Sequence, residues 1–349
     1  MKKLKTWLFT NLPLFLAVVL YILIYYIRFQ QALPAGRQGG WEFKLDLFPQ
    51  IRKDLDSKIA LFLPSPQAQL LSGIVLGQKK DLPYDLSLAL RDTSTLHIVV
   101  VSGQNLSMVA GFFLLLSGLI RRKIAILLSF STIIFYTLLT GADVPVLRAA
   151  VMISLTFLAQ IIGRQQDSLW VLIITAASML LVNPNWLGTL SFQLSFMATL
   201  GLVAVTPTLL RLFKRVPFLG ADLAVTFGAQ IMVMPIIIQN FHQLSFVSVI
   251  TNIFIGWTVP LIMILGAVLL FLSFISEFLS QIVAFILEIL LTYFIYIVQF
   301  FASLPFAWEF VGEQVWVVWV GYYLVVVGLL FGLHKYEIQS ISPDPKTML

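Results

Sequence analysis

Long apolar runs alternate with short polar or basic segments along most of the chain, and this alternation predicts membrane-spanning helices. The hydrocarbon core of a bilayer is ~30 Å thick, so a helix needs ~20 mainly apolar residues to cross it. The pattern predicts a first span from Trp7 to Ile27 and a central apolar stretch over 96–120. Further spans are predicted at 124–140, 144–163, 168–182, 187–210, 220–239, 245–274, 276–303 and 315–333. The expected fold class is therefore all-α, with about ten transmembrane spans.

The region between the first span and the central stretch has a different pattern. Residues 41–63 mix apolar and charged positions at helical spacing, which is typical of a helix on the membrane surface. Residues 67–77 are apolar but too short to cross, which predicts a surface-lying or re-entrant segment. Residues 84–96 predict another amphipathic helix that leads into the central stretch.

These patterns divide the chain into four parts. We expect a first span within 1–29, an extracytoplasmic amphipathic or re-entrant segment over 30–95, a transmembrane domain with interrupted helices over 96–334, and a disordered cytoplasmic tail over 335–349.

Composition supports the membrane assignment and removes several kinds of chemistry. Hydrophobic residues make up 59% of the chain and charged residues 11%, with a mean hydropathy of +0.96, which excludes an ordinary soluble domain. The chain has no Cys, so disulfides, thiolate catalysis and Cys-ligated metals are excluded. It also lacks a Walker-type G-x-x-x-x-G-K-[ST] run, and nothing in the sequence implies a cofactor.

The basic residues predict the orientation in the membrane. Cytoplasmic loops of membrane proteins are enriched in Lys and Arg. With the predicted spans, the basic clusters fall on one side: Lys2, Lys3, Lys5, Arg121–Lys123, Arg164, Arg211, Lys214, Arg215 and Lys335. We therefore expect a multi-pass protein of the cytoplasmic (inner) membrane with both termini in the cytoplasm. The loops near 141, 184, 241 and 308 are expected outside. The exception is the segment 28–95, which is basic but is expected on the outer side. A segment of that length is translocated across the membrane regardless of its charge.

The first half of the central stretch carries polar residues that do not fit a regular lipid-facing helix. They lie at His97, Ser102, Gln104, Asn105 and Ser107, and they spread around most of a helical wheel. Either the helix breaks near Ser102-Gly103, or protein or water surrounds that half. Interrupted helices line the paths of polar solutes in transporters. The alternative is a packing helix whose Ser and Gly serve close helix contacts.

Arg148 is a second candidate for the path. Asp143 suits the N-cap and Pro145 the first turn of a helix that places Arg148 about one turn inside. The guanidinium could simply extend to the lipid headgroups. Alternatively, it provides a fixed positive charge at the mouth of a path for an anionic substrate, where it can bind phosphate through two hydrogen bonds.

Two later segments also carry polar residues inside apolar runs. In the span from 187, Ser191, Ser195 and Thr199 share one face, and Gln193 lies on another, so protein is expected around this helix. Asn252 follows in the run that ends at Pro260. An Asn in a span either joins helices or contacts a substrate, and both readings stay open.

Together these segments resemble the integral-membrane competence domain of the ComEC family, the DNA channel of bacterial natural transformation. The resemblance rests on motifs in the family's order over about 65–275: His97 to Gly103, Pro145 to Ala149, Phe192–Phe196, and Asn252 to Pro260. The family usually has Leu-His-Val after Ser-Gly, and here Gln104-Asn105-Leu106 stands instead.

The resemblance implies a channel that passes single-stranded DNA across the cytoplasmic membrane without catalysis of its own. The pathway residues expected from the polar positions and the motifs are His97, Ser102, Gly103, Gln104, Asn105, Arg148, Gln193, Ser195 and Asn252. The expected partners are single-stranded DNA, membrane lipids, and other competence proteins (a DNA receptor, a cytoplasmic helicase and a separate nuclease). The last is expected because no H-x-H-x-D-H run of a metal-dependent nuclease occurs. Gly328 and Gly332 form a G-x-x-x-G that is a weak indication of a homodimer.

Two other functions are compatible with the residues. A transporter of a small polar or anionic solute would use Arg148, Gln193 and Asn252 as a closed midplane site. An intramembrane enzyme would use His97 and Ser102 as an acid–base group and a nucleophile. Five residues apart, these two point about 140° away from each other on a regular helix, so another element would have to bring them together.

Overall fold

The computed structural model describes Val18 and residues 20–28, 46–78, 82–99, 101–115, 118, 121–216, 219–312 and 314–341. Most of the predicted first span, and residues 342–349 of the predicted disordered tail, lie outside the described residues. The last helix continues to Ile341, into the segment for which that tail was predicted.

The described part of the chain is almost entirely helical, which confirms the all-α class. The first seven helices are α1 (20–28), α2 (Pro49–Phe62), α3 (Gln67–Leu76), α4 (Tyr84–Asp92), α5 (Leu96–Val99), α6 (Gly103–Leu115) and α7 (Arg122–Leu139). The next are α8 (Val144–Ile162), α9 (Ser168–Val182), α10 (Leu190–Ala204), α11 (Thr206–Leu212) and α12 (Gly220–Phe241). After them come β1 (Gln243–Ser245), α13 (Ser248–Gly256), α14 (Thr258–Leu272), α15 (Glu277–Ala302), β2 (Trp308–Phe310) and α16 (Trp316–Ile341).

The predicted break in the central stretch is confirmed. Helix α5 ends at Val99 and α6 begins at Gly103, so the helix is interrupted at the point that the polar cluster indicated. Val101 and Ser102 lie between the two helices, outside any regular helix. Ser102 and Gly103 at the start of α6 are half-buried, and the next residue, Gln104, is exposed.

The predicted count of about ten spans is not confirmed. Among the described residues, three helices are long and apolar enough to cross a membrane: Val144–Ile162, Gly220–Phe241 and Glu277–Ala302. The count rises to five if two bent pairs, α10 with α11 at 47° and α13 with α14 at 44°, each form one span. Other predicted spans appear as shorter apolar helices such as Ser168–Val182. A helix of about 15 residues is only ~22 Å long, which is less than the hydrocarbon thickness.

Helix α3 lies in the core, not on the surface. Its residues from Leu70 to Leu76 are all buried, in a cluster that also contains residues of α6, α14 and α15. Gly266 allows α14 to approach closely, since a Cβ atom there would lie 2.9 Å from Leu71 Cδ1. Helix α3 is therefore part of the protein core, and whether it is re-entrant or lies at the membrane surface stays a prediction.

Helices α10 and α12 are in close backbone contact. A Cβ atom on Gly201 would collide with the carbonyl oxygen of Gly228, and one on Gly228 would collide with Thr206 Oγ1. Small residues let helix backbones approach closely in membrane proteins, where apolar surfaces alone do not drive association. This contact fixes the helix that carries Ser195 and Thr199.

Loops that the sequence placed on the outer side contact each other. Strands β1 and β2 pair antiparallel, with Leu244 opposite Glu309, and so join the loops after α12 and α15. Helix α4 is attached to β1, because Arg91 Nε donates to Gln243 Oε1 at 3.3 Å. Helix α2 reaches the loop after α7, where Arg52 Nη1 donates to the Leu139 carbonyl at 3.0 Å.

Candidate functional site: a half-buried arginine at the helix break

Arg148 meets helix α10 inside the protein. Helix α8 begins after Asp143 with Pro145 in its first turn, as predicted, although the Asp143 side chain does not cap the helix N–H groups. Arg148 Nε donates to Ser195 Oγ at 2.6 Å, and Nη1 donates to Thr199 Oγ1. Nη1 also lies 3.5 Å from Met152 Sδ. The side chain is therefore held against α10 by these contacts.

The charge of Arg148 is not neutralised by any described residue. Its hydrogen-bond acceptors are two neutral hydroxyls and a thioether, and no described carboxylate lies within ion-pair distance of it. An Arg in an intramembrane position is costly to bury, and such residues normally pair with an acid or face a water-filled cavity. The structure thus keeps an uncompensated positive charge beside the helix break.

Gly103 brings the start of α6 against this guanidinium. A Cβ atom on Gly103 would lie 3.0 Å from Arg148 Nη2 and 3.2 Å from the Ala149 side chain. No described residue accepts a hydrogen bond from Nη2. The N–H groups of the first helical turn have no intrahelical acceptors, and the helix dipole makes this end positive. Two sources of positive potential therefore meet at one point, an arrangement that favours an anion.

Asn105 binds the C-terminus of helix α3 and not the guanidinium of Arg148. Its side chain is buried, with 1% exposed, and its Nδ2 donates to the Ile74 carbonyl at 3.0 Å. Ser102 Oγ donates to Asn105 Oδ1 at 3.3 Å. On the neighbouring helix, the Tyr136 hydroxyl donates to the Val75 carbonyl at 2.9 Å. Asn105 and Tyr136 thus satisfy two of the four carbonyls that the C-terminus of α3 leaves without intrahelical donors.

His97 and Ser102 are not joined in the structure. His97 is exposed, and its Nδ1 lies 2.9 Å from the Ser94 carbonyl, whereas Ser102 bonds to Asn105. Gln104 is also exposed, on α6. The acid–base and nucleophile pair of the enzyme hypothesis therefore has no hydrogen bond to support it. Among the described residues, no group of three His, Asp or Glu side chains is placed to hold a metal ion.

Neither Gln193 nor Asn252 makes a hydrogen bond to Arg148. Gln193 Nε2 donates to the Leu187 carbonyl at 3.0 Å, which closes the short 3₁₀ turn before α10. Asn252 Oδ1 is buried and has no hydrogen-bond partner within the described part of the chain. Hydrogen bonds therefore do not join Arg148, Gln193 and Asn252 into one midplane site.

The structure brings together three of the predicted pathway residues, Gly103, Arg148 and Ser195, and adds two that were not among the predicted pathway residues. Thr199 and Met152 complete the surroundings of the guanidinium. The sequence could have identified Thr199 as part of this site, because it follows Ser195 by four residues on the polar face of α10. Met152 had none, since a Met one turn after an Arg is common in apolar helices.

Comparison with known proteins gives a family and three relatives. A family model described as "Competence protein" matches residues 74–336. ComE operon protein 3 of Bacillus subtilis (strain 168) is 28% identical over 206 residues, which cover 58% of this chain and 26% of that protein. An uncharacterised protein, YcaI, of Escherichia coli (strain K12) is 27% identical over 238 residues, which cover 60% of this chain and 30% of that protein.

An uncharacterised protein of Aquifex aeolicus (strain VF5) is 34% identical over 128 residues, which cover 36% of this chain and 30% of that protein. This chain therefore spans less than a third of the length of each of these relatives. No solved structure matches it significantly.

Proposed function

Because the chain belongs to the competence protein family, we propose that it acts in DNA uptake and conducts single-stranded DNA through the cytoplasmic membrane. The observation that carries this proposal is the uncompensated guanidinium of Arg148 beside the N-terminus of α6. DNA has a phosphate at every nucleotide, so a path for it needs positive groups that are not already paired with acids.

The contacts of Arg148 suit a transient phosphate site. Ser195 and Thr199 hold the Nε and Nη1 side of the guanidinium and leave the Nη2 edge beside Gly103. A phosphate at this edge would accept from Nη2 and from the first N–H groups of α6. Because hydroxyls orient the guanidinium without neutralising it, each passing phosphate meets the same charge in the same place.

The remaining parts of the proposal concern orientation and partners. We place the loops near 141, 184, 241 and 308 outside, and both termini in the cytoplasm, on the distribution of Lys and Arg. Contacts between β1 and β2, and between α2 and the loop after α7, support a common side for three of these loops. The partners proposed are a DNA receptor outside, and a helicase and a nuclease on separate chains.

The test compares Arg148→Gln and Arg148→Lys with the control Arg164→Gln, which removes an exposed Arg after the same helix. Binding of a fluorescent dT oligonucleotide to the purified full chain is measured by anisotropy over a range of salt concentrations. Losing a charged hydrogen bond of about 1.5–3 kcal/mol corresponds to a loss of affinity of roughly 10- to 150-fold. The slope of log affinity against log salt should also fall in magnitude by about 0.7 for one lost phosphate contact.

Arg148→Lys should recover part of the affinity, because an ammonium keeps the charge but loses the planar fork. In the strain that encodes the chain, Arg148→Gln should lower transformation frequency at an unchanged level of the protein in the membrane. Unchanged affinity and salt slope in a folded Arg148→Gln protein would remove Arg148 from the path. Competition by free phosphate as effective as that by the oligonucleotide would instead favour a small-anion transporter.

A further inference from the structure

Helix α12 contains a proline in its interior. Pro235 lies six residues before the end of this helix and is buried. Because proline has no N–H group, it leaves the carbonyl of the residue four positions earlier, Ile231, without its helical donor. In membrane helices, groups from neighbouring helices satisfy such a carbonyl. Pro235 therefore marks the point at which α12 depends on another element.

That element is α16, which binds the turn of α12 before the proline. The Tyr322 hydroxyl donates to the Ile231 carbonyl at 2.9 Å, and the Tyr323 hydroxyl donates to the Met232 carbonyl at 2.9 Å. The two rings contact each other edge to face, with their centroids 5.6 Å apart. Two adjacent residues of α16 thus supply donors to two adjacent carbonyls, one of which has lost its own donor to the proline.

A third hydrogen bond joins α16 to the part of α12 that follows the proline. Trp319 Nε1 donates to Gln239 Oε1 at 2.8 Å. Trp319 precedes Tyr322 in α16, whereas Gln239 follows Pro235 in α12, so the two helices run antiparallel. Helix α16 therefore holds the segments of α12 on both sides of the proline.

Packing contributes little to the attachment of α16. None of its side chains from Val317 to Leu333 is buried, and Leu324 and Phe331 are 67% and 71% exposed. Lipid chains are as apolar as these side chains, so burial against protein gives little drive for helix association in a membrane. The attachment to α12 therefore rests on the three hydrogen bonds, and breaking them is enough to release α16.

We propose that α16 controls a hinge in α12 at Pro235. While α16 is attached, the turn before the proline has its donors and α12 keeps the conformation of this structure. When α16 detaches, α12 bends at the proline, because the missing backbone hydrogen bond makes this the weakest point of the helix. The proposal concerns a conformational change and does not depend on the proposed role in DNA uptake.

The hinge lies on the side of α12 that contacts α10. Pro235 follows Gly228 by seven residues, so both lie on the same face of the helix. Gly228 meets Gly201 of α10, and the two helices run antiparallel. At 1.5 Å per residue in both helices, the proline is expected at the level of the turn that contains Ser195. Bending would therefore shift α12 relative to the turn of α10 that holds the guanidinium of the candidate site.

The experiment measures distances between spin labels on engineered Cys residues, which is possible because the chain has no native Cys. Val225→Cys with Asn240→Cys places labels on both sides of the proline, ~22 Å apart along a straight helix, and reports bending. Asn240→Cys with Leu329→Cys places one label on each helix and reports detachment. All three positions are exposed. The purified full chain is measured in lipid vesicles.

Tyr322→Phe together with Tyr323→Phe should broaden both distance distributions. From the strengths of hydrogen bonds between membrane helices, each lost hydroxyl should raise the ratio of detached to attached α16 by about 3-fold on average and at most about 18-fold. Trp319→Phe removes one exposed hydrogen bond, should fold in any case, and should give a smaller change in the same direction. The matched control is Tyr296→Phe, because this Tyr is 65% exposed and makes no hydrogen bond with the described residues.

Pro235→Ala tests the position of the hinge. It restores an N–H donor for the Ile231 carbonyl, so the two Tyr→Phe changes should no longer broaden the distribution across position 235 in this background. The proposal is overturned if the Tyr and Trp variants behave like the control, or if α16 detaches without any bending of α12. Bending that persists in the Pro235→Ala background would equally overturn it.

Discussion

Removing the Tyr136 hydroxyl should destabilise the protein through the C-terminus of α3. This helix ends inside the core, where water cannot satisfy its last carbonyls. The Gly73 carbonyl accepts from the Gly77 N–H at 3.1 Å, but the next two carbonyls depend on side chains from other helices. The Tyr136 hydroxyl serves Val75 at 2.9 Å, and Asn105 serves Ile74 at 3.0 Å.

The magnitude follows from the burial of both partners. Tyr136→Phe deletes one oxygen atom, creates almost no cavity, and leaves the Val75 carbonyl unsatisfied in the core. An unsatisfied buried acceptor costs about 1–3 kcal/mol. At about 2–4 °C per kcal/mol for a domain of 150–250 residues, the expected fall in Tm is roughly 2–12 °C. Asn105→Leu should cost a similar amount, and the double variant about the sum or less, because the two groups serve adjacent carbonyls.

The assay is the thermal unfolding of the purified chain in detergent, followed by tryptophan fluorescence. Tyr84→Phe is the matched control, because it removes the same atom from a side chain that is 78% exposed and makes no hydrogen bond with the described residues. A Tyr136→Phe protein that melts with the control would refute the argument. Asn105→Leu also separates two roles: a capping residue lowers Tm, whereas a pathway residue would lower DNA uptake at an unchanged Tm.

Three further outcomes are expected. Gly201→Val should abolish accumulation of the protein in membranes, because the new Cβ atom collides with the Gly228 backbone. Gly188→Ala, which has open space around it, should accumulate normally on the same immunoblot. An Asn240→Cys variant should react with an impermeant thiol reagent in intact cells, and reaction only after lysis would reverse the proposed orientation. Arg52→Met should lower Tm by the equivalent of about 1.5–3 kcal/mol, because it removes the buried charged group on α2 that donates to the Leu139 carbonyl at the end of α7.

The positions of the helices were largely predictable because they depend on local pattern. The spans predicted at 144–163, 168–182 and 276–303 correspond closely to α8, α9 and α15. An apolar run flanked by polar residues specifies a helix without knowledge of the rest of the chain. The break at Ser102-Gly103 was predictable for the same reason, since its polar side chains could not all avoid lipid.

The number of membrane crossings was not predictable from apolar length alone. The apolar pattern predicted one span over 187–210 and one over 245–274, whereas the structure has two helices in each, α10 with α11 and α13 with α14, bent by more than 40°. The short apolar run of α3 fits a re-entrant helix and a surface-lying helix equally well. Only the neighbours of α3 in the fold show that it is buried in the core.

The roles of the polar residues depended on the tertiary structure. The sequence singled out Arg148, Ser195 and Asn105 by one rule, that polar groups in apolar helices need partners. The fold then gave them different partners: Arg148 meets a hydroxyl 47 residues away, and Asn105 meets a carbonyl 31 residues away. The sequence therefore determined which residues require a partner, because the cost of burying a polar group is a local property. Only packing decided whether that partner is a helix end or, as we propose, a passing phosphate, because it depends on which helices are neighbours.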